Sequence, residues 1–243
     1  MNDNQSIELK QSGINPYHLI VGLSQNETVF KIYELNSNKL YAQRSIESIF
    51  NHSKDEIISL FNDTNEAKIL FHSTRIILEN ECYTLIPNDI FQKENIEDFL
   101  KFQFEIAPSN NTLFNLISQF ETVNVFSIPK SIDLAMSELF PKISIEHHIS
   151  YYANKILSSI GSSKIFSVIR NQHIDIIVIV HGKLHLINSY SANNKEDIIY
   201  HILKTLEFFS IDINRIELHL VFQSKQPELL DKIKEYIKHV TCE

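Results

Sequence analysis

Apolar residues in this chain fall into short runs broken by polar and turn-forming residues, the pattern of strands, with a few stretches at helical spacing between them. The clearest arrangement lies between Lys164 and Phe222. Ile165 to Arg170 is an apolar run, Ile174 to Val180 is a second that turns at His181-Gly182, and Leu184 to Tyr190 alternates outward. A helix from about Lys195 to Phe209 follows, with Ile198, Ile199, Ile202, Leu203 and Leu206 on one stripe, and Glu217 to Phe222 is a further strand. The order is strand, strand, strand, helix, strand.

The same order is predicted near the N-terminus. His18 to Ser24, Thr28 to Leu35 and Lys39 to Ile46 read as strands, and Asn36-Ser37-Asn38 joins the last two. Ser53 with Glu56 forms a capping box ahead of a helix whose apolar face is Ile57, Ile58 and Phe61, and Lys68 to Phe71 is the expected fourth strand. Leu19 then faces Ile165, Leu40 faces Leu184, Ile57 faces Ile198 and Ile69 faces Leu218, at offsets of 146, 144, 141 and 149 residues. Both helices open on cap, Lys, acid, acid, Ile, Ile: Ser53 to Ile58 in one copy and Asn194 to Ile199 in the other. Shared ancestry explains this, and so does the plainer reading that capped amphipathic helices look alike.

A long middle segment is expected to have no counterpart in the second copy. Cys82 to Ile86 reads as a strand, Asn88 to Phe104 as mostly helix, and Thr112 to Phe120 with Val123 to Ile128 as a hairpin turning at Glu121-Thr122. Pro129 suits the first turn of a helix that runs to about Leu139, with Asp133 and Glu138 outward, and Pro141 stops it. Ile143 to His147 is one more strand, and Ile149 to Ile160 is a helix with Gly161 as its C-cap. The expected organisation is a flexible leader over residues 1–16, a first lobe over 17–160 and a second over 161–243.

Composition narrows the chemistry. Across 243 residues the net charge is −8, which disfavours a general nucleic-acid binder, because phosphate neutralisation needs a basic field; only a local basic patch stays open. Cys82 and Cys242 lie far apart, so reduced thiols and a cytoplasmic location are expected. No apolar run approaches the roughly 20 residues of a membrane-spanning helix, and the polar Met1 to Ser12 reads as neither signal peptide nor anchor.

A unit of three strands, a helix and a fourth strand, used twice with an insertion in the first copy, resembles the actin-like ATPase superfamily of actin and the sugar kinases. The implied fold is α/β, two ribonuclease-H-like lobes in actin-like ATPase architecture. The arrangement is most similar to the pilus-assembly and type II secretion members, in which a segment like Val123 to Lys130 also leads through a helix into a strand. Lys183 to Tyr190, Glu196 to Tyr200, and Leu85-Ile86-Pro87 before Phe91 also resemble an uncharacterised bacterial family of this length.

Active members of that superfamily grip ATP with two strand-turn-strand phosphate loops, each with Asp and Gly: Gly for close backbone approach, Asp to organise Mg²⁺ or water. The corresponding turns here are Ser24 to Thr28 and Arg170 to Asp175, and neither contains Gly; Val221 to Gln226, where a Gly-rich adenosine motif is expected, has none either. Asp175 is the one weak candidate for cofactor binding, against the plainer reading of a strand-start carboxylate bonded to solvent or a neighbouring amide. Arg170 and Lys225 are cations within reach of a phosphate by position. Ribonuclease-H-like nucleases need convergent carboxylates, and the first strand of each copy carries none.

His147-His148 and His181 with His185 suggest metal by residue type, yet adjacent strand residues point to opposite faces and His181 belongs to a turn, so neither pair is expected to converge. Cys82 has no nearby Cys-x-x-Cys partner, and no Gly-x-Ser-x-Gly, His-Glu-x-x-His or Walker loop occurs. Phe99, Phe102, Phe104 and Phe208-Phe209 are expected to fill cores, any exposed excess marking a partner surface. The sequence therefore points to a non-catalytic actin-like scaffold without cofactor or metal that binds an unidentified protein; the alternatives are a divergent nucleotide-binding enzyme using Asp175 and a nucleic-acid-associated module.

Overall fold

The structure is a computed structural model that describes residues 15–64, 66, 69–156, 163–170, 172–222 and 226–242. The chain divides into two compact units, Met1–Tyr151 and Tyr152–Glu243. The first unit begins with three antiparallel strands, β1 (Asn15–Leu23), β2 (Glu27–Glu34) and β3 (Leu40–Glu47), followed by helix α1 (Lys54–Asn62) and strand β4 (Phe71–Leu78). Strand β4 lies parallel to β1 on the side away from β2. The chain then makes β5 (Tyr83–Pro87), the short helix α2 (Ile96–Lys101), β6 (Asn110–Ile117) and β7 (Thr122–Pro129), which form a separate sheet in the order β5-β7-β6. Helix α3 (Lys130–Leu139) returns it to β8 (Ile145–His147), parallel to β4, and α4 (His148–Lys155) follows at once. The main sheet of this unit has the order β3-β2-β1-β4-β8.

The second unit repeats that plan without the inserted sheet. Strands β9 (Lys164–Arg170), β10 (His173–Val180) and β11 (Lys183–Ser191), helix α5 (Lys195–Phe208), β12 (Glu217–Phe222), helix α6 (Pro227–Tyr236) and β13 (His239–Cys242) give a sheet in the order β11-β10-β9-β12-β13. Register repeats as well as order. Leu19 pairs with Ile32 and Ile165 with Val178, and in both sheets the next step toward the hairpin turn meets a bulge, with Tyr41 skipped in β3 and His185 skipped in β11. An extra residue at the same place in both copies is a specific feature of backbone geometry that a generic sheet does not require.

Local sequence explains the elements. Strand β10 is a β-branched run buried on both faces, which fits a strand flanked on each side. His181 and Gly182 both have positive φ, 49° and 76°, as a two-residue hairpin turn of the right twist demands. At α1 the capping box is complete: Ser53 Oγ accepts from Glu56 N at 3.4 Å and Glu56 Oε2 accepts from Ser53 N at 2.8 Å. The bonds that Ser53 N and Ser53 Oγ donate to that carboxylate hold it below its ordinary pKa. At α5, Asn194 Oδ1 accepts from Asp197 N at 2.8 Å, the matching cap. Helix α5 buries Ile198, Ile202 and Leu206 with Leu229 and Ile233 of α6 over Ile165, Ile174, Ile176, Leu218 and Leu220 of the sheet, and Ile199 and Leu203 pack at the margin. Helices α1 and α3 pair in the first unit through Phe61 against Phe140 and Lys54 to Glu138 at 2.6 Å.

Three expectations are corrected. The fourth strand is Phe71–Leu78 and not Lys68 to Phe71, so Thr74, beside Leu19, is the counterpart of Leu218, beside Ile165. Its first half, His72 to Arg75, is polar even though Thr74 and Arg75 pair with Leu19 and Ile20 of β1, while the apolar Leu70 outside it is 61% exposed. Second, α3 and β8 are not part of the insertion, since α6 and β13 are their counterparts; Pro227 in the first turn with Leu229 and Ile233 buried is the signal for α6. Third, Asn88 to Phe104 is helical only at 93–95 and 96–101, and Phe91, Phe99 and Phe104 reach the Leu100 cluster from separate turns. The expected helix end at Ile160 and cap at Gly161 lie outside the described residues. Among those residues no helix is long and apolar enough to cross a membrane.

Ile202 is 1% exposed, so Ile202→Asp places a carboxylate in the core between α5 and the sheet. The expected loss exceeds about 4 kcal/mol, enough to unfold the second unit; a wild-type melting curve would refute this packing. Ser53→Ala removes one cap and is expected to cost only about 1 kcal/mol in the same measurement.

Candidate functional site

The two turns that stand where phosphate loops are expected join β1 to β2 and β9 to β10. In the first, Ser24 closes the turn on itself. Its Oγ accepts from Asn26 N at 3.3 Å and Glu27 N at 3.2 Å and donates to Glu27 O at 2.9 Å, while Ser48 Oγ donates to Ser24 O at 2.8 Å. Backbone amides that would face an anion are thus already engaged by a hydroxyl. Gly22 supplies no cradle either: a Cβ added there would meet Val29 O at 3.8 Å, an ordinary contact.

In the second turn Gln172 takes a left-handed φ of 58° and its carbonyl accepts from Ala192 N at 2.9 Å. Asp175 lies inside β10, not at its solvent end. It is fully buried, and the Arg170 guanidinium grips it with both arms, Nε to Oδ2 at 2.7 Å and Nη2 to Oδ1 at 2.8 Å. Ser189 Oγ donates to Oδ1 at 2.6 Å from β11, where it stands opposite Asp175 in the strand register. The Arg170 side chain is itself only 7% exposed. A carboxylate so engaged is not presented to Mg²⁺, and a guanidinium so engaged is not presented to phosphate. The described residues at the two turns, which do not include Asn171, therefore do not fit a nucleotide phosphate cradle. Lys225 and the centre of Val221 to Gln226 lie outside the described residues.

The remaining candidates separate. His181 is an exposed turn residue and His185 the bulged residue of β11, its ring against Phe209 at 6.1 Å, so the two do not meet. His147 and His148 do converge, contrary to expectation, because the first ends β8 and the second starts α4; both are fully buried with ring centroids 4.3 Å apart. Among the described residues no group of three or more His, Cys, Asp or Glu is placed to hold a metal ion. The Cys82 thiol is pushed up in pKa by burial, which suits packing more than nucleophilic chemistry. Phe102 and Phe208, expected in cores, are 91% and 78% exposed. Ser189 was missed because only the bulge brings it opposite Asp175.

Across residues 5–240 the sequence matches the model of a family described as "Protein of unknown function (DUF3822)". The chain belongs to the DUF3822 family. No curated protein matches it by sequence. Among solved structures it is similar to a Bacteroides thetaiotaomicron protein with actin-like ATPase fold and unknown function, at 23% identity and a TM-score of 0.75 over 94% of this chain and 91% of that one. It is also similar to a chain of the PilM–PilN type IV pilus biogenesis complex, at 10% identity, TM-score 0.56, 93% and 88% coverage. A third likeness is to the ethanolamine utilization protein EutJ from Carboxydothermus hydrogenoformans, at 8% identity, TM-score 0.50, 96% and 86% coverage. These likenesses show the fold: the DUF3822 chain has the actin-like ATPase fold.

Removing one partner of a buried pair strands the other. Arg170→Met is expected to cost about 3–5 kcal/mol of stability, read by chemical denaturation, whereas Arg170→Met with Asp175→Leu should recover most of that loss. Equal losses in the single and double variants would show that Arg170 acts through packing and not through the carboxylate.

Proposed function

We propose that this chain is an actin-like scaffold that works by binding another protein and does not use nucleotide. The observation that carries the reading is the state of the second turn, where Arg170 and Ser189 occupy the Asp175 carboxylate from within the fold. Triphosphate binding in this architecture rests on free backbone amides, close approach at glycine and a carboxylate open to Mg²⁺. Ser24 consumes the amides at the first turn, and the net charge of −8 gives a polyanion no general attraction. The structural likeness to a chain of the PilM–PilN complex supports protein binding as the use of such a fold.

Calorimetric titration with Mg-ATP tests the reading. No binding tighter than about 1 mM, equivalent to about −4 kcal/mol, and no Mg²⁺-dependent hydrolysis are expected. A saturable micromolar isotherm weakened by Asp175→Ala would overturn the scaffold and favour a nucleotide-binding enzyme. Retention of a partner from the native cell, unchanged by a wash with Mg-ATP, is the expected positive result.

A further inference from the structure

Three asparagines from three separate stretches of the insertion converge on one histidine. Asn80, between β4 and β5, brings Oδ1 to 3.3 Å from Nε2 of His147. Asn124 of β7 directs Nδ2 at its Nδ1, 3.1 Å away, and also at Ser150 Oγ, 3.0 Å away. Asn115 of β6 takes the backbone: its Oδ1 accepts from His147 N at 2.7 Å and its Nδ2 donates to Ile145 O at 3.1 Å. His147, Asn124 and Ser150 are fully buried.

The proton inventory follows from the donors. Ile149 N also points at His147 Nδ1, at 3.4 Å, so that nitrogen faces two N–H groups and serves as acceptor. The ring proton then sits on Nε2 and reaches Asn80 Oδ1, which also accepts from Cys82 N at 3.0 Å, while Asn80 Nδ2 donates to Ser127 O at 2.7 Å. The neutral ring with its proton on Nε2 satisfies every one of these bonds. A second proton has to enter at Nδ1, against the fixed backbone donor of Ile149. Asn124 Oδ1, buried without a hydrogen-bond partner, can turn toward that proton only by moving its Nδ2 into the unpartnered place.

We propose that His147 is an acid-sensitive clasp, which holds the inserted sheet β5-β7-β6 to the edge of the first sheet while neutral and releases it when protonated. Two titratable side chains have their rings against it, Tyr83 of β5 with its centroid at 4.9 Å and His148 of α4 at 4.3 Å. From β7 come Phe126 and Asn124 and from β6 Asn115, none of them titratable. Glu146 beside it in β8 is engaged by Arg75 at 3.0 Å, and Glu79, Glu81 and Cys82 flank Asn80 in the chain. A group held neutral by folding stabilises above its unfolded pKa, and that contribution is lost as pH falls below it.

Amide hydrogen exchange on the full chain reads the clasp. Between pH 7.5 and 5.5, protection factors in β5, β6 and β7 should fall about tenfold, since one proton taken up on opening gives at most tenfold per pH unit below histidine's ordinary pKa of about 6.5. Those in β9 to β12 should stay constant. His147→Gln should abolish the pH dependence in the inserted sheet and His148→Gln should keep it. Should His147→Gln fail to fold, histidine NMR of the wild type decides, with the Nε2–H tautomer expected for as long as the insertion stays protected. Constant protection in the wild type, an equal acid loss in His147→Gln, or an imidazolium signal from His147 with protection intact would each overturn the clasp.

Discussion

In each main sheet the hairpin of the second and third strands carries one extra residue, Tyr41 or His185, and everything beyond it takes its partner from that insertion. Counting from the His181-Gly182 turn without a bulge would set Asn188 opposite Asp175; with His185 set aside, Ser189 stands there instead. Strand side chains alternate between faces, so a slip of one residue exchanges the two faces of the strand. The bulge therefore decides which polar group of β11 meets the buried carboxylate and which apolar groups meet α5. Both copies keep it although the turn between the strands is longer in the first, so the register is set by the bulge and not by the turn.

That register matters most where charge is buried. Taking a carboxylate and a guanidinium out of water costs several kcal/mol per ion, and only close, multiple hydrogen bonds offset it. Asp175 has them, in the two-armed grip of Arg170 and the Ser189 hydroxyl. The same position in the first sheet, by register, is Val29, opposite Gly22, and needs no such compensation. One copy thus handles the site beside its first turn with apolar packing, the other with an internal ion pair.

Most of the architecture was legible because strands buried on both faces are continuous apolar runs and because both helix starts carry caps that the backbone needs. Ser53 with Glu56, and Asn194 with Asp197, declare themselves locally. Strand β4 did not, since half of it is polar and its limits come from pairing with β1, which is tertiary information. Strand β13 is four residues long, too short for a period to be read. At the candidate site the acid was legible and its state was not: nothing local says that Asp175 faces Arg170 across a hairpin. The convergence of His147 and His148 was hidden for a similar reason, because the rule that neighbours on a strand diverge ends where β8 gives way to α4.

The insertion is joined to its host in a manner unlike the rest of the fold. Its interior is apolar, with Ile86, Leu100, Val123 and Val125 between α2 and the small sheet. At the border a side chain replaces a strand: the Asn115 amide gives one acceptor and one donor to His147 N and Ile145 O, the groups that the next strand of a sheet would have bonded. Asn80 and Asn124 fill the two ring nitrogens in the same way. Apolar contacts tolerate small shifts, whereas matched donors and acceptors are satisfied in one arrangement and one protonation state. A border made of such pairs orients the inserted sheet sharply, and it is sensitive to a change of a single proton in a way that the apolar interior on either side of it is not.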